Sequence, residues 1–294
     1  MSVRISNRLN KLSFDAVVPK RENLLSKSAK PFIAIYGQFL TDHSAPWFRQ
    51  MECVYLESGS LPINQPRTVY HRLIGKIVSR IGLCRSFNSE KQRKIIVPTI
   101  GPAEYRFFPG CYSMQIVPIC FDCWPNHWER LEKMFKRHKV KDAFVTSKQV
   151  CDKFESQTIG TRFHWLPEAT DPLQWKPEKK LISREIDVLE LGRKHEAFHN
   201  SVVQSLALQK KNHRYQPNAT KLIFASNNSL VSGLGETKIS VCFPKSITHP
   251  SQAHGIETVT QRYFEAMASR CLILGSCPSE LSTLFGYNPV LEVD

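Results

Sequence analysis

Two glutamates have the spacing of a ligand-binding site. Glu257 and Glu265 are separated by seven residues in the stretch AHGIETVTQRYFEAMASR, and Glu265 is followed by Ala-Met-Ala. The run from Thr258 to Gln261 matches a capping box, which predicts a helix starting at residue 258. Free N–H groups at a helix start bind anions, and adjacent carboxylates can accept hydrogen bonds from vicinal hydroxyls. The stretch therefore predicts a site for a ligand with both a phosphate and a sugar.

A second segment, DVLELGRKHEAFHNSV, contains the zinc-peptidase signature H-E-x-x-H at His195 to His199. In such peptidases the motif lies in the middle of a helix. Here it begins soon after a strand that we expect to end at Leu191, so His195 should lie at or before the first helical turn. No third protein ligand follows at a suitable spacing. A zinc metallopeptidase is therefore a remote alternative, and we expect no stoichiometric zinc at His195 and His199.

The same segment also suits a phosphate. An apolar strand that ends at Gly192 lets the backbone approach a ligand closely. Arg193 and Lys194 then stand at the carboxyl end of the strand, where open α/β sheets bind ligands. Arginine binds phosphate oxygens through two parallel hydrogen bonds, and lysine adds a point charge. On its own, this pattern is as typical of a surface turn with solvated bases.

Strand and helix patterns alternate on both sides of a proline-rich stretch, which predicts an α/β protein with parallel sheets. In the first half the predicted strands are 31–37, 94–100, 114–121, 142–147 and 161–167, and the predicted helices are 67–83, 126–140 and 148–155. In the second half the predicted strands are 186–191, 221–225 (KLIFA), 238–243, 271–275 and 289–293, and the predicted helices are 196–209, 258–269 and 278–285. The division is an N-terminal domain over 1–172, a linker over 173–185 and a C-terminal domain over 186–294.

The E-x7-E pattern followed by Ala-Met-Ala resembles the donor-binding segment of GT-B glycosyltransferases of the E-x7-E, or group 1, type. The stretches CFDCWP, DAFVTS, HWLPEATDP, DVLELGR and CLILGSCPSELSTLFG occur in the same order as in that family and span residues 115–294. One departure is Arg270, which stands where the family usually has glycine. The resemblance implies two Rossmann-like domains that face each other, with a short C-terminal domain.

The resemblance also implies an activity, which is transfer of a sugar from a nucleotide-diphosphate donor to a hydroxyl acceptor. Such hexosyltransferases are mostly retaining and act in polysaccharide or glycoconjugate synthesis. By this resemblance Glu257 contacts the transferred sugar and Glu265 the ribose. Arg193, Lys194 and the helix start at Thr258 bind the diphosphate.

In the N-terminal domain the candidate catalytic residue is Asp122, in Phe121-Asp122 at the end of a strand. No D-x-D motif is present, so we expect neither a metal nor another cofactor. A catalytically inactive sugar-nucleotide-binding protein remains an alternative.

The formal net charge of +14 is placed unevenly. Residues 1–150 hold 24 Lys+Arg against 11 Asp+Glu, whereas residues 151–294 hold 16 against 15. We therefore expect a glycan or lipid-linked acceptor that is anionic or membrane-borne, held by bases at Arg67, Arg72, Lys76, Arg80, Arg85, Lys91, Arg93 and Lys94. The alternative is a solvated basic surface. No nucleic-acid recognition motif is present, so no nucleic acid partner is expected.

The chain has no run of about 18 apolar residues, so no transmembrane helix is predicted. The nine cysteines suit reduced thiols, and Cys120 and Cys123 are expected to be buried strand or turn residues. The expected location is the cytoplasm, with peripheral association at the inner face of an anionic membrane.

Overall fold

Strands of the first half pair into a six-stranded sheet. The computed structural model describes residues 33–37, 61–64, 69–83, 93–157, 160–177, 179–217 and 222–293. The strands are β1 (Ile33–Gly37), β2 (Leu61–Asn64), β3 (Lys94–Ile100), β4 (Gln115–Phe121), β5 (Asp142–Val145) and β6 (Arg162–Trp165). They lie in the order β2-β1-β3-β4-β5-β6, and every pair is parallel. Strands β3 and β4 are buried almost throughout, which explains their continuous apolar sequences.

The helices in the described part of the first half are α1 (Val69–Arg80), α2 (Trp128–Arg137) and α3 (Lys148–Glu155). The core between α2, α3 and β6 is aromatic. Phe135 lies edge-on to Phe154 and Phe163, with ring centroids 5.7 and 5.2 Å away, and the last two stack at 5.1 Å. The predicted helices and the parallel α/β class are confirmed.

Helix α1 does not turn its apolar side chains towards the sheet. Leu73, Ile77 and Ile81 are 53%, 50% and 61% exposed. The buried side is formed by Gly75 and Ser79. A β-carbon at Gly75 would lie 2.9 Å from the carbonyl oxygen of Tyr105, so a side chain there would clash. The amphipathic pattern therefore predicts the helix correctly, while its apolar stripe faces solvent.

The second half forms a five-stranded parallel sheet in the order β11-β10-β9-β7-β8. Its strands are β7 (Ile186–Glu190), β8 (His213–Tyr215), β9 (Thr237–Cys242), β10 (Leu272–Gly275) and β11 (Leu291–Glu292). Its helices are α4 (Glu196–Leu208), α5 (Asn227–Gly235), α6 (Lys245–Thr248), α7 (Pro250–Ala253), α8 (Gln261–Ala268) and α9 (Ser279–Phe285). Strand β8 lies on one side of β7, and β9 lies on the other side of β7. The direction in which strands are added therefore reverses between β7 and β9.

The predicted strand KLIFA is wrong. Residues 222–225 have no strand structure, and the edge position beside β7 is taken by β8. Ile223 and Phe224 pack instead against the cluster around Trp175 and Leu234. The Phe224 ring lies where a β-carbon of Gly233 would be, 2.1 Å from the ideal position. The apolar run therefore fills a core without pairing in a sheet.

The predicted helix start at Thr258 is also wrong. Helix α8 begins at Gln261, and its N-cap, Thr260, makes no side-chain capping hydrogen bond. The backbone N–H groups of Val259 and Gln261 instead donate to carboxylates from elsewhere in the chain. The capping sequence is overridden because tertiary partners satisfy these donors.

The segment predicted as a linker is anchored by a tryptophan. Trp175 is 1% exposed and packs with Ile186, Leu189 and Leu234. Its indole N–H donates to Thr170 Oγ1 at 2.6 Å. Residues 33–294 form one compact unit. The division into domains at residues 173–185 therefore stays a prediction.

The Cys120 and Cys123 thiols are free and buried, as predicted. A hydrogen bond between the two thiols and burial both raise the pKa of Cys123. A raised pKa makes a thiol inert at neutral pH. The pair is therefore part of the core and does not mark a reactive site.

Arg270 closes helix α8 in a left-handed conformation, with φ of +54°. A residue with a β-carbon is strained there, which is why glycine suits the position. We expect Arg270→Gly to raise the free energy of unfolding by about 0.5–1 kcal/mol, a gain of about 2 °C in Tm. Arg270→Ala is the control, because it removes the charge and keeps the β-carbon. An equal gain in both variants, measured by thermal unfolding, would show that the backbone is not the cause.

Candidate functional site

The loops that follow the strands of both sheets meet at one cleft. From the first sheet, Asp122 follows β4, Ser147 follows β5 and Glu168 follows β6. From the second sheet, Arg193 follows β7 and Lys245 follows β9. These residues line two cavities that share the side chains of Asp122 and Trp124. The carboxyl ends of both parallel sheets therefore face the same space, where α/β sheets bind ligands.

The larger cavity has a volume of about 500 Å³, which is enough for a small ligand. Its walls combine one carboxylate with several basic and aromatic groups, namely Asp122, His127, Arg130, Lys245, Tyr105 and Trp124. Lys245 Nζ lies 4.1 Å from the centroid of the Trp124 ring, a cation–π contact across the cleft. Burial lowers the pKa of His127, and so does the positive charge of Arg130.

The smaller cavity has a volume of about 30 Å³. It lies beside the start of helix α8 and is lined by Asp122, Ser147, Glu168, Arg193, Thr258 and Thr260, among others. The structure thus brings together three of the residues that the sequence singled out, Asp122, Arg193 and Thr258. They come from segments far apart in the chain.

Arg193 and Lys245 flank the point at which the strand order reverses. Such a crevice between diverging loops is where open α/β sheets bind their ligands. Gly192 leads into this position with φ of +84°, a conformation that glycine adopts without strain. Burial lowers the pKa of Lys245, and the nearby positive charge of Arg193 lowers it further. Two cations therefore share this end of the cleft.

Lys194 lies elsewhere. Its Nζ is 3.7 Å from Glu196 Oε1 and 5.5 Å from the centroid of the Tyr215 ring. It lines neither of the two cavities. The second cation beside Arg193 is Lys245, which the sequence analysis missed. The available signal was its position just after the predicted strand 238–243.

Glu168 occupies the start of helix α8. Its Oε2 accepts the Gln261 N–H at 2.9 Å. Desolvation by burial raises the pKa of Glu168 to about 7, and the carboxylates of Asp122 and Glu265 add to the rise. The Gln261 N–H and the charge of Arg193 act in the opposite direction. A carboxylate thus lies where a helix start would bind a phosphate, and the sequence analysis did not single it out.

Glu265 lies inside helix α8 and is 3% exposed. Its Oε2 accepts a hydrogen bond from Arg262 Nη1 at 2.7 Å. Burial raises the pKa of Glu265, whereas the Arg262 charge lowers it.

Glu257 joins the loop before helix α8 to the start of helix α9. Its Oε2 accepts the backbone N–H and the hydroxyl of Ser279, both at 2.9 Å. Its own backbone N–H donates to Gln149 Oε1 at 2.7 Å, and its carbonyl accepts the Ser147 hydroxyl at 3.1 Å. Glu257 therefore stabilises the start of α9 and links the two sheets.

A buried carboxylate that the sequence analysis missed completes this link. Glu280 is 2% exposed and accepts the backbone N–H groups of Lys148 and, at 3.1 Å, Val259. Burial raises the pKa of Glu280, and these hydrogen bonds lower it. Lys148 begins helix α3 of the first sheet, so Glu280 ties that helix to the loop before α8.

Asp122 has a strained backbone, with φ of +51°. Its Oδ1 accepts the indole N–H of Trp124 at 3.1 Å. Strained residues of this kind cluster at functional sites, where the surrounding structure enforces them. The side chain borders both cavities, which makes Asp122 the one predicted residue common to the two.

The two histidines of the H-E-x-x-H motif do not act together. His195 is the N-cap of helix α4, at the helix start as predicted, and its ring lies 4.6 Å from that of Phe243. His199 Nδ1 lies 2.7 Å from Glu190 Oε1. In the part of the chain that the structure describes, His199 groups with other possible metal ligands, and His195 is not among them.

Comparison with known proteins finds no family model and no curated protein that match the chain.

The raised pKa of Glu168 predicts a pH-dependent stability. The ordinary pKa of this carboxyl is 4.5, and its pKa in the folded protein is about 7. Because the folded state binds the proton more tightly, the free energy of unfolding falls as pH rises from 4.5 to about 7. We expect Glu168→Gln, whose amide oxygen still accepts the Gln261 N–H, to raise Tm at pH 8. The expected gain is about 2–4 °C, or ~1 kcal/mol, because partial exposure reduces the effect.

The gain should shrink as pH falls towards 4.5 and disappear below that value, where the carboxyl is protonated in both the folded and the unfolded state. The exposed Glu155 on α3 provides the control, since Glu155→Gln should change Tm by the same amount at both pH values. A Glu168→Gln gain of equal size at pH 5 and pH 8 would contradict the raised pKa.

Proposed function

We propose that the protein is a glycosyltransferase of the GT-B type, which moves a sugar from a nucleotide-diphosphate donor to a hydroxyl acceptor. One observation carries the proposal. The carboxyl ends of two parallel sheets enclose a common cleft in which Asp122, Arg193 and Thr258 line one cavity. The order of sequence motifs that resembles group 1 enzymes supports the same assignment.

The donor diphosphate is assigned to the end of the cleft beside helix α8. There Arg193 offers a planar guanidinium for phosphate oxygens, and Lys245 adds a second positive charge. The N–H groups at the start of α8 would replace Glu168 with phosphate as their acceptor. All three features stabilise the charge that develops on the leaving diphosphate. Neither a metal nor another cofactor is assigned to this step.

The two glutamates of the E-x7-E motif are assigned to the sugar rings of the donor. Glu265 is buried beside the helix start and would accept hydrogen bonds from the ribose hydroxyls. Glu257 would accept them from the transferred sugar, in competition with Ser279. The Glu257 carboxylate would then accept hydrogen bonds from Ser279 in the free protein and from sugar hydroxyls in the complex with the donor.

The acceptor is assigned to the 500 Å³ cavity. Arg130 favours an acceptor that carries negative charge, such as a lipid-linked or anionic glycan. Asp122 is the carboxylate of that cavity and is placed to accept the proton of the attacking hydroxyl. The sugar then passes to the acceptor oxygen, and the nucleoside diphosphate leaves.

An inactive sugar-nucleotide-binding protein is the second candidate. It is favoured by the internal hydrogen bonds of Glu168 and Glu257, which a donor would have to replace. Turnover separates the two candidates. A glycosyltransferase hydrolyses or transfers the sugar of one member of a nucleotide-sugar panel, whereas an inactive protein only binds one. Mass spectrometry of the products is the direct readout.

Arg193 and Lys194 form a matched pair for testing the diphosphate assignment. We expect Arg193→Ala to weaken binding of the cognate nucleoside diphosphate about ten- to hundredfold, since charge-assisted hydrogen bonds contribute about 1.5–3 kcal/mol. Lys194→Ala removes the same charge one residue away and should leave the affinity within about twofold, because Lys194 faces Glu196. Calorimetry with a panel of nucleoside diphosphates measures both. Equal losses in the two variants would mean that only net charge matters.

The lipid-linked acceptor implies contact with a membrane surface. No helix in the described part of the chain has the length and hydrophobicity to cross a membrane. Helix α1 instead exposes Leu73, Ile77 and Ile81, and its exposed bases include Lys76 and Arg80. Of the other predicted bases, Lys94 lies 3.8 Å from Asp142, and Arg67, Arg85 and Lys91 lie outside the described residues. We therefore propose that α1 docks on an anionic lipid surface with both charge and apolar side chains.

Vesicle binding tests this docking surface. The protein should co-sediment with anionic vesicles at low salt and dissociate as salt rises, since each base contributes about 1 kcal/mol and is screened. Ile77→Glu should reduce binding severalfold because it places a negative charge within the exposed stripe. The control is Leu208→Glu on α4, which is 84% exposed and far along the chain from α1. Unchanged binding by Ile77→Glu, or none by the wild type at low salt, would contradict the surface.

A further inference from the structure

Three ionisable side chains meet inside the second sheet, away from the residues that line the two cavities. Glu190 is the last residue of β7, His199 lies in the first turn of α4, and His213 begins β8. Glu190 Oε1 lies 2.7 Å from His199 Nδ1 and 2.8 Å from His213 Nε2. Both imidazoles therefore direct a ring nitrogen at the same carboxylate oxygen.

The cluster is buried and only partly satisfied. Glu190 is 2% exposed and His199 is 6% exposed. Glu190 Oε2 and His213 Nδ1 are enclosed and have no hydrogen-bond partner among the residues that the structure describes. Among the described residues, no lysine or arginine forms an ion pair with Glu190. A buried carboxylate without a compensating cation is costly, so the site requires a positive charge from a proton or from a metal ion.

The donor set matches a metal site in number and chemistry. One ligand atom from each of Glu190, His199 and His213 lies within 4.8 Å of the others. Zinc binds imidazole nitrogen at about 2.0–2.1 Å and carboxylate oxygen at about 2.0–2.2 Å, so donors around it lie a little over 3 Å apart. Small side-chain movements would therefore admit an ion. Two imidazoles and one carboxylate are a ligand set that zinc uses in proteins.

We propose that Glu190, His199 and His213 bind one divalent transition-metal ion, for which zinc fits best, with water as the fourth ligand. It would join the end of β7 to helix α4 and to the short edge strand β8. The loop between Glu190 and α4 includes Arg193, so the ion would also steady that arginine at the cleft. This site goes beyond the proposed glycosyl transfer and does not depend on it.

The site differs from the zinc-peptidase signature in the sequence. His195 and Glu196 belong to the signature and are not among the three ligands. Glu196 is exposed and lies near Lys194, so it is not placed as a general base. The proposal departs from the expectation of no stoichiometric zinc at His195 and His199, because it assigns zinc to His199 together with partners from β7 and β8.

Metal uptake by the full-length chain tests the proposal. The protein is stripped with a chelator, loaded with zinc chloride and freed of excess metal by gel filtration. Elemental analysis should then find one zinc per chain. Cobalt(II) should give the visible spectrum of a tetrahedral site with nitrogen and oxygen ligands, without a thiolate charge-transfer band. That spectrum excludes binding to the free cysteines and needs no variant. Absence of stoichiometric zinc, or a thiolate band, would overturn the site.

Variants then identify the ligands. His199→Gln and His213→Gln should each lower zinc affinity more than about hundredfold, a larger loss than the removal of groups that only orient ligands. His195→Gln is the matched control in the same motif and should retain full zinc. Circular dichroism reports whether each variant folds. An equal loss in His195→Gln and His199→Gln, or zinc retained in His213→Gln, would overturn the assignment. If only a buried proton neutralises Glu190, none of the proteins takes up zinc.

Discussion

The cleft depends on one buried carboxylate. Glu280 accepts backbone N–H groups from Lys148, at the start of a helix on the first sheet, and from Val259, in a loop of the second. A buried charge is tolerated only where such donors satisfy it, and removing it would leave two buried N–H groups unpaired. The same junction is reinforced by three further hydrogen bonds, in which the Ser147 hydroxyl donates to the Glu257 carbonyl, the Glu257 N–H donates to Gln149 Oε1, and the Gln261 N–H donates to Glu168. The carboxyl ends of the two sheets face each other because these contacts hold them there.

Periodicity predicted most of the fold because burial in parallel sheets leaves a clear pattern. Strands β3 and β4 are apolar because they are buried almost throughout, and helix α3 was predicted with the bounds that it has. The errors occur where tertiary contacts override local signals. Thr258 has the sequence of a helix cap, but Glu280 and Glu168 take the N–H groups of the next turn. KLIFA has the composition of a strand, but Phe224 fills the space beside Gly233.

Some residues of the candidate site could be predicted from the sequence, and others could not. Arg193 and Asp122 could be found because each ends an apolar strand, and strand ends meet in parallel sheets. Lys194 was a reasonable partner by adjacency, yet neighbouring residues in a loop point in different directions, and Lys245 takes its place at the cleft. Glu168 and the Glu190–His199–His213 cluster depend on residues brought together by the fold. No local sequence pattern predicts such groupings.

The central claim, that a nucleoside diphosphate binds between the two sheets, is tested most directly by hydrogen–deuterium exchange. The chain would be compared alone and with each member of a panel of nucleoside diphosphates. We predict that one nucleotide slows exchange at the amides of residues 192–194 and 258–263, the segments that carry Arg193, Thr258 and Thr260 of the smaller cavity. The claim would be contradicted if no nucleotide changed exchange in these segments, or if protection appeared only outside the cleft.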